Sequence, residues 1–209
     1  MDIVKFSRNT FLDSVVPMDD FKSLNFAKEA MELWDNFYSW EKYPPLGLKH
    51  DDETLCYLFY STTRDNQYLI IHRILTPKEF RGKRYAYELL ANLFLKYSTT
   101  EIERFRMSCV SSSINFYNKI GLNYWGVNTK GQYYCDFKMP KKDINEIPAI
   151  VKESNINELS DKKILNIYEN LEANGKDFNA KDLNTHNKCL DLMGDKYRFN
   201  ELKKEAILI

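Results

Sequence analysis

The chain has 209 residues, 44% of them hydrophobic and 14% aromatic, and its 30 basic residues are matched by 30 acidic ones. This size suits one domain, or one domain with an appendage, and supplies enough apolar residues for a core. The balanced charge provides no global field to draw in nucleic acid or a membrane surface, so neither is expected as a partner.

The first ten residues, MDIVKFSRNT, lack a charged region followed by an apolar run, so no signal peptide is expected. No apolar run is long enough to span a bilayer. Cys56, Cys109, Cys135 and Cys189 are far apart and form no CxxC pair. No metal site is expected, and reduced thiols in a cytoplasmic protein are the default reading.

Residues 2–8 alternate loosely and predict an edge strand. Asp19 or Asp20 is placed to cap a helix beginning near Phe21. Phe21, Leu24, Ala27, Met31, Trp34 and Tyr38 recur at spacings of three and four, a helical apolar stripe. Pro44-Pro45 cannot continue that helix. Residues 54–62 and 67–75 read as two strands of a hairpin around Arg64-Asp65-Asn66. The second is apolar nearly throughout, which predicts a central strand covered on both faces.

After the basic turn at 81–86, a helix is predicted to bury Tyr85, Leu89, Leu90, Leu93, Phe94 and Tyr97. Residues 102–110 alternate as a strand. Ser111, Ser112 or Ser113 then caps a short helix, INFYNKIG, which Gly121 terminates. Residues 123–138 read as two strands joined at Lys130-Gly131. Beyond Pro140 aromatic residues thin out and charges alternate, which divides the chain into a domain of residues 1–140 and a helical C-terminal extension, 141–209. Helices are predicted over residues 160–174, 182–193 and 198–207 of that extension. Its charges nearly balance, so a packed appendage or a homodimer contact fits better than a nucleic-acid-binding helix pair around Gly175-Lys176-Asp177.

The most informative stretch is Ile74–Leu90, ILTPKEFRGKRYAYELL. It passes from a strand through a basic turn, Arg81-Gly82-Lys83-Arg84-Tyr85-Ala86, into a helix. That arrangement offers backbone N–H groups at a helix N-terminus, surrounded by cations, to a phosphate or pyrophosphate.

This turn resembles the Q/R-x-x-G-x-G/A motif of the GCN5-related N-acetyltransferase (GNAT) family. Phe116-Tyr117-Asn118-Lys119-Ile120-Gly121-Leu122 resembles that family's F-Y-x-K-x-G-F. The two segments lie about a helix plus a strand apart, and the resemblance covers residues 2–139. It implies an α/β fold, a mixed and mostly antiparallel sheet flanked by helices. It also implies an enzyme that moves an acetyl group from acetyl-CoA to a primary amine, on a small molecule or a peptide, by direct attack in a ternary complex.

Carried over to this chain, the resemblance gives Arg81, Gly82, Lys83, Arg84, Tyr85 and Ala86 the CoA pyrophosphate. It gives the strand through Leu75 and Thr76 the pantetheine chain, and Tyr117 the role of acid towards the leaving thiolate. Two positions depart from the family pattern. Arg84 stands where a glycine is usual, so either the turn keeps ordinary torsions and Arg84 meets phosphate, or CoA affinity is reduced. Val110 and Ser111 occupy the place of an asparagine, and Ser111 is the replacement hydrogen-bonding candidate.

His72, in the strand beside the expected thioester, is the candidate base, with Glu41, Glu53 or a water chain as alternatives. Trp40 and Tyr43, near the prolines, are the candidates for lining the acceptor site. A different reading, favoured by Arg84, is a non-catalytic module that binds CoA or a partner and uses its tail for interaction.

Overall fold

The computed structural model describes residues 1–110, 113–122, 126–127 and 133–153. They fall into two compact units. The first is Met1–Arg106 with Lys138–Ile144, and the second is Met107–Phe137 with Asn145–Ile209.

The first unit runs β1 (Asp2–Lys5), α1 (Arg8–Val15), α2 (Phe21–Phe37), β2 (Leu46–His50), β3 (Glu53–Thr62), β4 (Tyr68–Leu75), α3 (Tyr85–Ser98) and the start of β5 (Arg104–Cys109). Strands β1 to β4 pair antiparallel in chain order, with Ile3 opposite Leu48, Leu46 opposite Leu58 and Tyr57 opposite Leu75. Strand β5 lies next to β4. The Gln67 carbonyl, just before β4, accepts from the N–H groups of Glu103 and Arg104 at 3.3 and 3.2 Å. The two strands therefore set out from the same end in the same direction, joined by a helical crossover. The expected mixed, mostly antiparallel sheet flanked by helices is the one observed.

Two elements of this unit, α1 and β2, carry no clear sequence signal. Helix α1 is short and is held by a reciprocal cap between Ser7 and Thr10. Strand β2 contains Gly47, where a Cβ would stand 2.3 Å from the Phe6 ring. The missing side chain admits that ring, which stacks on Tyr57 at 5.6 Å.

Asp20 caps α2 by accepting from the Ser23 N–H at 3.0 Å. The buried line of that helix is Ser23, Ala27, Ala30 and Trp34. This corrects the predicted stripe at its start, since Phe21 is 82% and Leu24 41% exposed. The small residues Ala27 and Ala30 let the helix approach the sheet, and that approach sets its rotation.

Strand β3, rather than β4, is the one buried on both faces. Its Tyr57 and Phe59 pack with Phe11 and Trp34 of α1 and α2. Its Tyr60 faces α3, where the Lys96 ammonium donates to the Tyr60 hydroxyl at 3.0 Å. Strand β4 stays half-buried from His72 to Ile74. Its apolar sequence hid this, because an unbroken apolar run reads as covered on both faces. Helix α3 buries Leu89, Leu90, Leu93 and Phe94 as expected, with Tyr85 and Tyr97 half-buried.

The second unit contains the end of β5, α4 (Ile114–Lys119), β6 (Gly126–Val127), β7 (Tyr133–Lys138, whose last residue belongs to the first unit) and α5 (Ile147–Glu153). Strands β6 and β7 pair antiparallel, Val127 opposite Tyr133. Gly121 ends α4 with φ +94°, and a Cβ there would stand 2.5 Å from the Pro148 ring of α5. Both the left-handed torsion and the close contact call for glycine. The predicted turn at Lys130-Gly131 lies outside the described residues, as do the predicted helices over 160–174, 182–193 and 198–207. Of the predicted extension, the described part is a short helical turn at Ile144–Glu146 followed by α5, with Ile147 and Val151 buried.

Candidate functional site

The register between β3 and β4 contains one irregularity. Phe59 lies opposite Arg73 and Tyr60 opposite Ile71, so His72 is an extra residue in β4. In a regular strand neighbouring side chains point to opposite faces. A bulge breaks that alternation, and here it turns both His72 and Arg73 towards α2. The Arg73 guanidinium donates to Glu29 of α2 at 2.8 Å and lies 5.8 Å from the Phe26 ring.

The His72 ring sits 5.5 Å from Trp34 and 4.5 Å from Tyr38, centroid to centroid. Its Nε2 is 2.8 Å from the Ser61 hydroxyl of β3. Burial first, then the charges of Arg106 and Arg73, lower its pKa to about 4. His72 is therefore neutral at pH 7. Tyr38, half-buried beside it, has its hydroxyl pKa raised by burial.

Strand β4 ends at Leu75, and the chain turns through Thr76-Pro77 and a short helical turn, Lys78–Phe80. The Arg81 Nε donates to the Thr76 carbonyl at 3.0 Å and braces the turn. Gly82 and Arg84 both take left-handed torsions, with φ of +80° and +66°. Of the two alternatives at Arg84, the one with ordinary torsions is not what the turn adopts. The backbone adopts the conformation that glycine favours and an arginine occupies it, at a cost of roughly 1–2 kcal/mol.

Arg84 is also the residue that precedes α3, and its side chain does not cap the helix. The first helical bond runs from the Glu88 N–H to the Arg84 carbonyl at 3.0 Å. The N–H groups of Tyr85 and Ala86 precede that bond at the positive end of the helix dipole. The side chains of Arg81, Lys83 and Arg84 are exposed around them, with Arg84 lying 5.0 Å from the Tyr87 ring. Uncapped donors, an open glycine and three cations fit a phosphorylated group.

The remaining candidates are more dispersed. Trp40 is half-buried and packs on Phe11 and Phe59, with its indole N–H donating to Asp35 at 2.8 Å. The Tyr43 hydroxyl donates to the Thr62 carbonyl at 3.2 Å, and its own carbonyl accepts from the Trp34 indole at 2.9 Å. Both residues thus help to hold α2 against the sheet.

Tyr117 belongs to the second unit. It is 6% exposed and shares the buried face of α4 with Ile114. Phe116 and Ile120 of the same segment are half-buried, so Tyr117 belongs to the packed side of the helix. Ser111 lies outside the described residues, and so does Cys189. Cys56, Cys109 and Cys135 are buried free thiols. Burial pushes Cys56 and Cys109 up to about 12 and Cys135 well above its usual value, so none of the three is a thiolate at neutral pH. Among the described residues no group of three or more His, Cys, Asp or Glu is placed to hold a metal ion. No described helix is long and apolar enough to cross a membrane.

Sequence reasoning missed Ser61, Tyr38 and Arg106 as neighbours of His72. Ser61 is separated from His72 by a hairpin, Tyr38 directly follows α2, and Arg106 comes from β5. No local pattern announces a bulge.

No family model matches the chain, and no curated protein matches it. Solved structures do resemble it. One is an aminoglycoside 6'-acetyltransferase of type Ii, with 13% identity and a TM-score of 0.49, covering 67% of this chain and 98% of that one. Another, from Desulfovibrio desulfuricans, is described as an acetyltransferase of the GNAT family, with 9% identity, a TM-score of 0.48, and coverage of 66% and 99%. A third is the PaiA N-acetyltransferase from Thermoplasma acidophilum in complex with coenzyme A, with 12% identity, a TM-score of 0.46, and coverage of 65% and 96%. The element order and the strand arrangement within each unit are those of a GNAT-like fold.

Proposed function

We propose that this chain is an N-acyltransferase that moves an acetyl group from acetyl-CoA to a primary amine. The observation that carries the reading is the turn after β4. Gly82 and Arg84 both hold left-handed torsions there, and they lead into a helix that no side chain caps. Such a turn costs conformational energy, and its uncapped backbone donors at a helix N-terminus suit an anion.

In this reading the N–H groups of 82–86, with Arg81, Lys83 and Arg84, hold the pyrophosphate, and Leu75 and Thr76 meet the pantetheine chain through their backbone. Bound acetyl-CoA supplies the activated acyl group as a thioester. The acceptor amine attacks it directly, so no cysteine nucleophile is required. Tyr117 donates the proton that the departing thiolate needs. His72 takes the proton that the attacking nitrogen releases. Because His72 is neutral at pH 7 and binds protons weakly, the rate follows the acceptor's own deprotonation and shows no inflection near pH 6.5. Trp40 and Tyr43 form part of the wall on the acceptor side, and Ser111 takes the place of the family's asparagine.

Calorimetry with acetyl-CoA tests the first half of this reading, and absence of binding would refute it. An assay of CoA release over a panel of amines tests the second half. Tyr117→Phe should slow turnover by about 10²- to 10⁴-fold without weakening acetyl-CoA binding. His72→Ala leaving both kcat and the pH–rate profile unchanged would remove His72 from the mechanism.

A further inference from the structure

The surroundings of His72 are electrostatically one-sided. Arg106 and Arg73 both act on the His72 ring, and Arg106 acts on the Tyr38 hydroxyl as well. Among the described residues, the nearby carboxylates are engaged elsewhere. Glu29 pairs with Arg73 at 2.8 Å, Asp35 receives Arg8 and the Trp40 indole, and Asp65 accepts from Thr63 and the Gln67 N–H in the hairpin turn.

Arg73 is thus paired with Glu29 at contact distance, whereas Arg106 meets the charge of Asp65 only at longer range. The Arg106 side chain is exposed, rests 5.1 Å above the Tyr68 ring, and makes no ion pair within 4 Å among the described residues. Tyr68 stands on β4 ahead of His72. The contact with its ring lays the exposed guanidinium over the strand that carries the bulge. Arg106 belongs to the same compact unit as His72, Ser61 and Tyr38.

We infer that the acceptor of this site carries a carboxylate or another anionic group close to its amine, and that Arg106 binds that group. The inference rests on the acyl-transfer reading and specifies the substrate class. A guanidinium recognises a carboxylate through two parallel charge-assisted hydrogen bonds, and an exposed arginine that makes no contact ion pair among the described residues is ready to make them.

The same positive surroundings disfavour an ammonium and favour a neutral amine, the form that attacks. An acceptor carrying only amines would arrive with charges that nothing beside His72 offsets. An amino acid, or the amine of an acidic peptide, brings its own anion and meets Arg106. The positive field then serves twice, in holding the acceptor and in lowering the proton affinity of its nitrogen.

The test compares glycine, β-alanine and 4-aminobutyrate with their amides and with a diamine of similar length. CoA release by the full chain is followed, and rates are taken at equal concentrations of neutral amine. At least one carboxylate-bearing acceptor should exceed its amide by about tenfold or more in kcat/KM, the size of one hydrogen-bonded charge pair. Arg106→Ala should abolish that preference through KM for the acceptor and leave KM for acetyl-CoA unchanged. Arg106→Lys should restore part of it.

Equal rates for acid and amide, preference for the diamine, or a preference that survives Arg106→Ala would overturn the inference and leave acyl transfer standing. Acetyl-CoA binding with no turnover of any carboxylate-bearing amine would overturn it too. Failure to bind acetyl-CoA would remove the acyl-transfer reading and this inference with it.

Discussion

The bulge at His72 and the turn at Gly82–Arg84 lie along the same stretch of chain but are built in opposite ways. The turn is open. Its cations reach into solvent, and a Cβ on Gly82 would meet nothing within 4 Å. The bulge is anchored. Trp34 is fully buried against Phe59 and His72, and Ser61 is 1% exposed. On the proposed reading, the contrast follows from what each would bind. A phosphate is gripped by backbone donors and mobile charges, which function in water. An amine about to react needs side chains held at fixed angles, and only burial supplies that.

The largest expected effect separates the two regions by stability. Trp34→Ala should cost about 3–5 kcal/mol in chemical denaturation, because it empties the space beneath the bulge and strips the Tyr43 carbonyl of its donor. Lys83→Ala, in the turn, should change stability by no more than about 0.5 kcal/mol. Similar costs for the two would show that the bulge is not anchored as described.

The next effect concerns pH. The folded state lowers the His72 pKa from 6.5 to about 4, so the unfolded chain takes up the proton first as acid is added. The stabilisation from neutral His72 is full above pH 6.5, falls as pH drops through the window from 6.5 to about 4, and is gone below it. Within the window the slope attributable to this residue should approach about 1.4 kcal/mol per pH unit. Unfolding of the wild type and of His72→Gln, followed by denaturant titration between pH 4 and 7, should differ by that slope. Parallel curves would mean that His72 titrates freely and that the bulge does not exclude water.

The smallest effect concerns Arg84. Arg84→Gly relieves a left-handed torsion and should leave stability unchanged or raised by up to about 1 kcal/mol. If Arg84 meets phosphate, the same change should weaken acetyl-CoA binding severalfold in calorimetry. A variant that is more stable and binds equally well would reduce the role of Arg84 to a strained helix start.

The turn proposed to hold phosphate is legible in the sequence because its signals are contiguous. A strand, a basic turn containing Gly82 and an apolar helix lie within seventeen residues, Ile74–Leu90. Residue chemistry there sets the torsions, the helix start and the charge almost unaided. The same holds for Gly121 at the end of α4, although the Pro148 ring beside it could not be foreseen. Helix α2 shows the limit of periodicity. The spacing of Phe21, Leu24 and Ala27 is helical, but Ala30 and Ser23, small enough for close approach, set which side faces the sheet.

The side around the bulge is not legible in that way, since its parts are distant and its geometry depends on one slipped register. His72 is visible in the sequence only as a titratable residue in a strand. Its Ser61 partner comes from β3, its ring neighbours Trp34 and Tyr38 come from α2 and the residue after it, and its neutrality comes from burial and from the charges of Arg106 on β5 and Arg73. Local residue chemistry thus suits the turn to a phosphorylated donor, because a phosphate grip is a property of consecutive backbone groups. Packing between remote segments decides what surrounds His72, because burial and the field at one side chain are sums over every element packed against it.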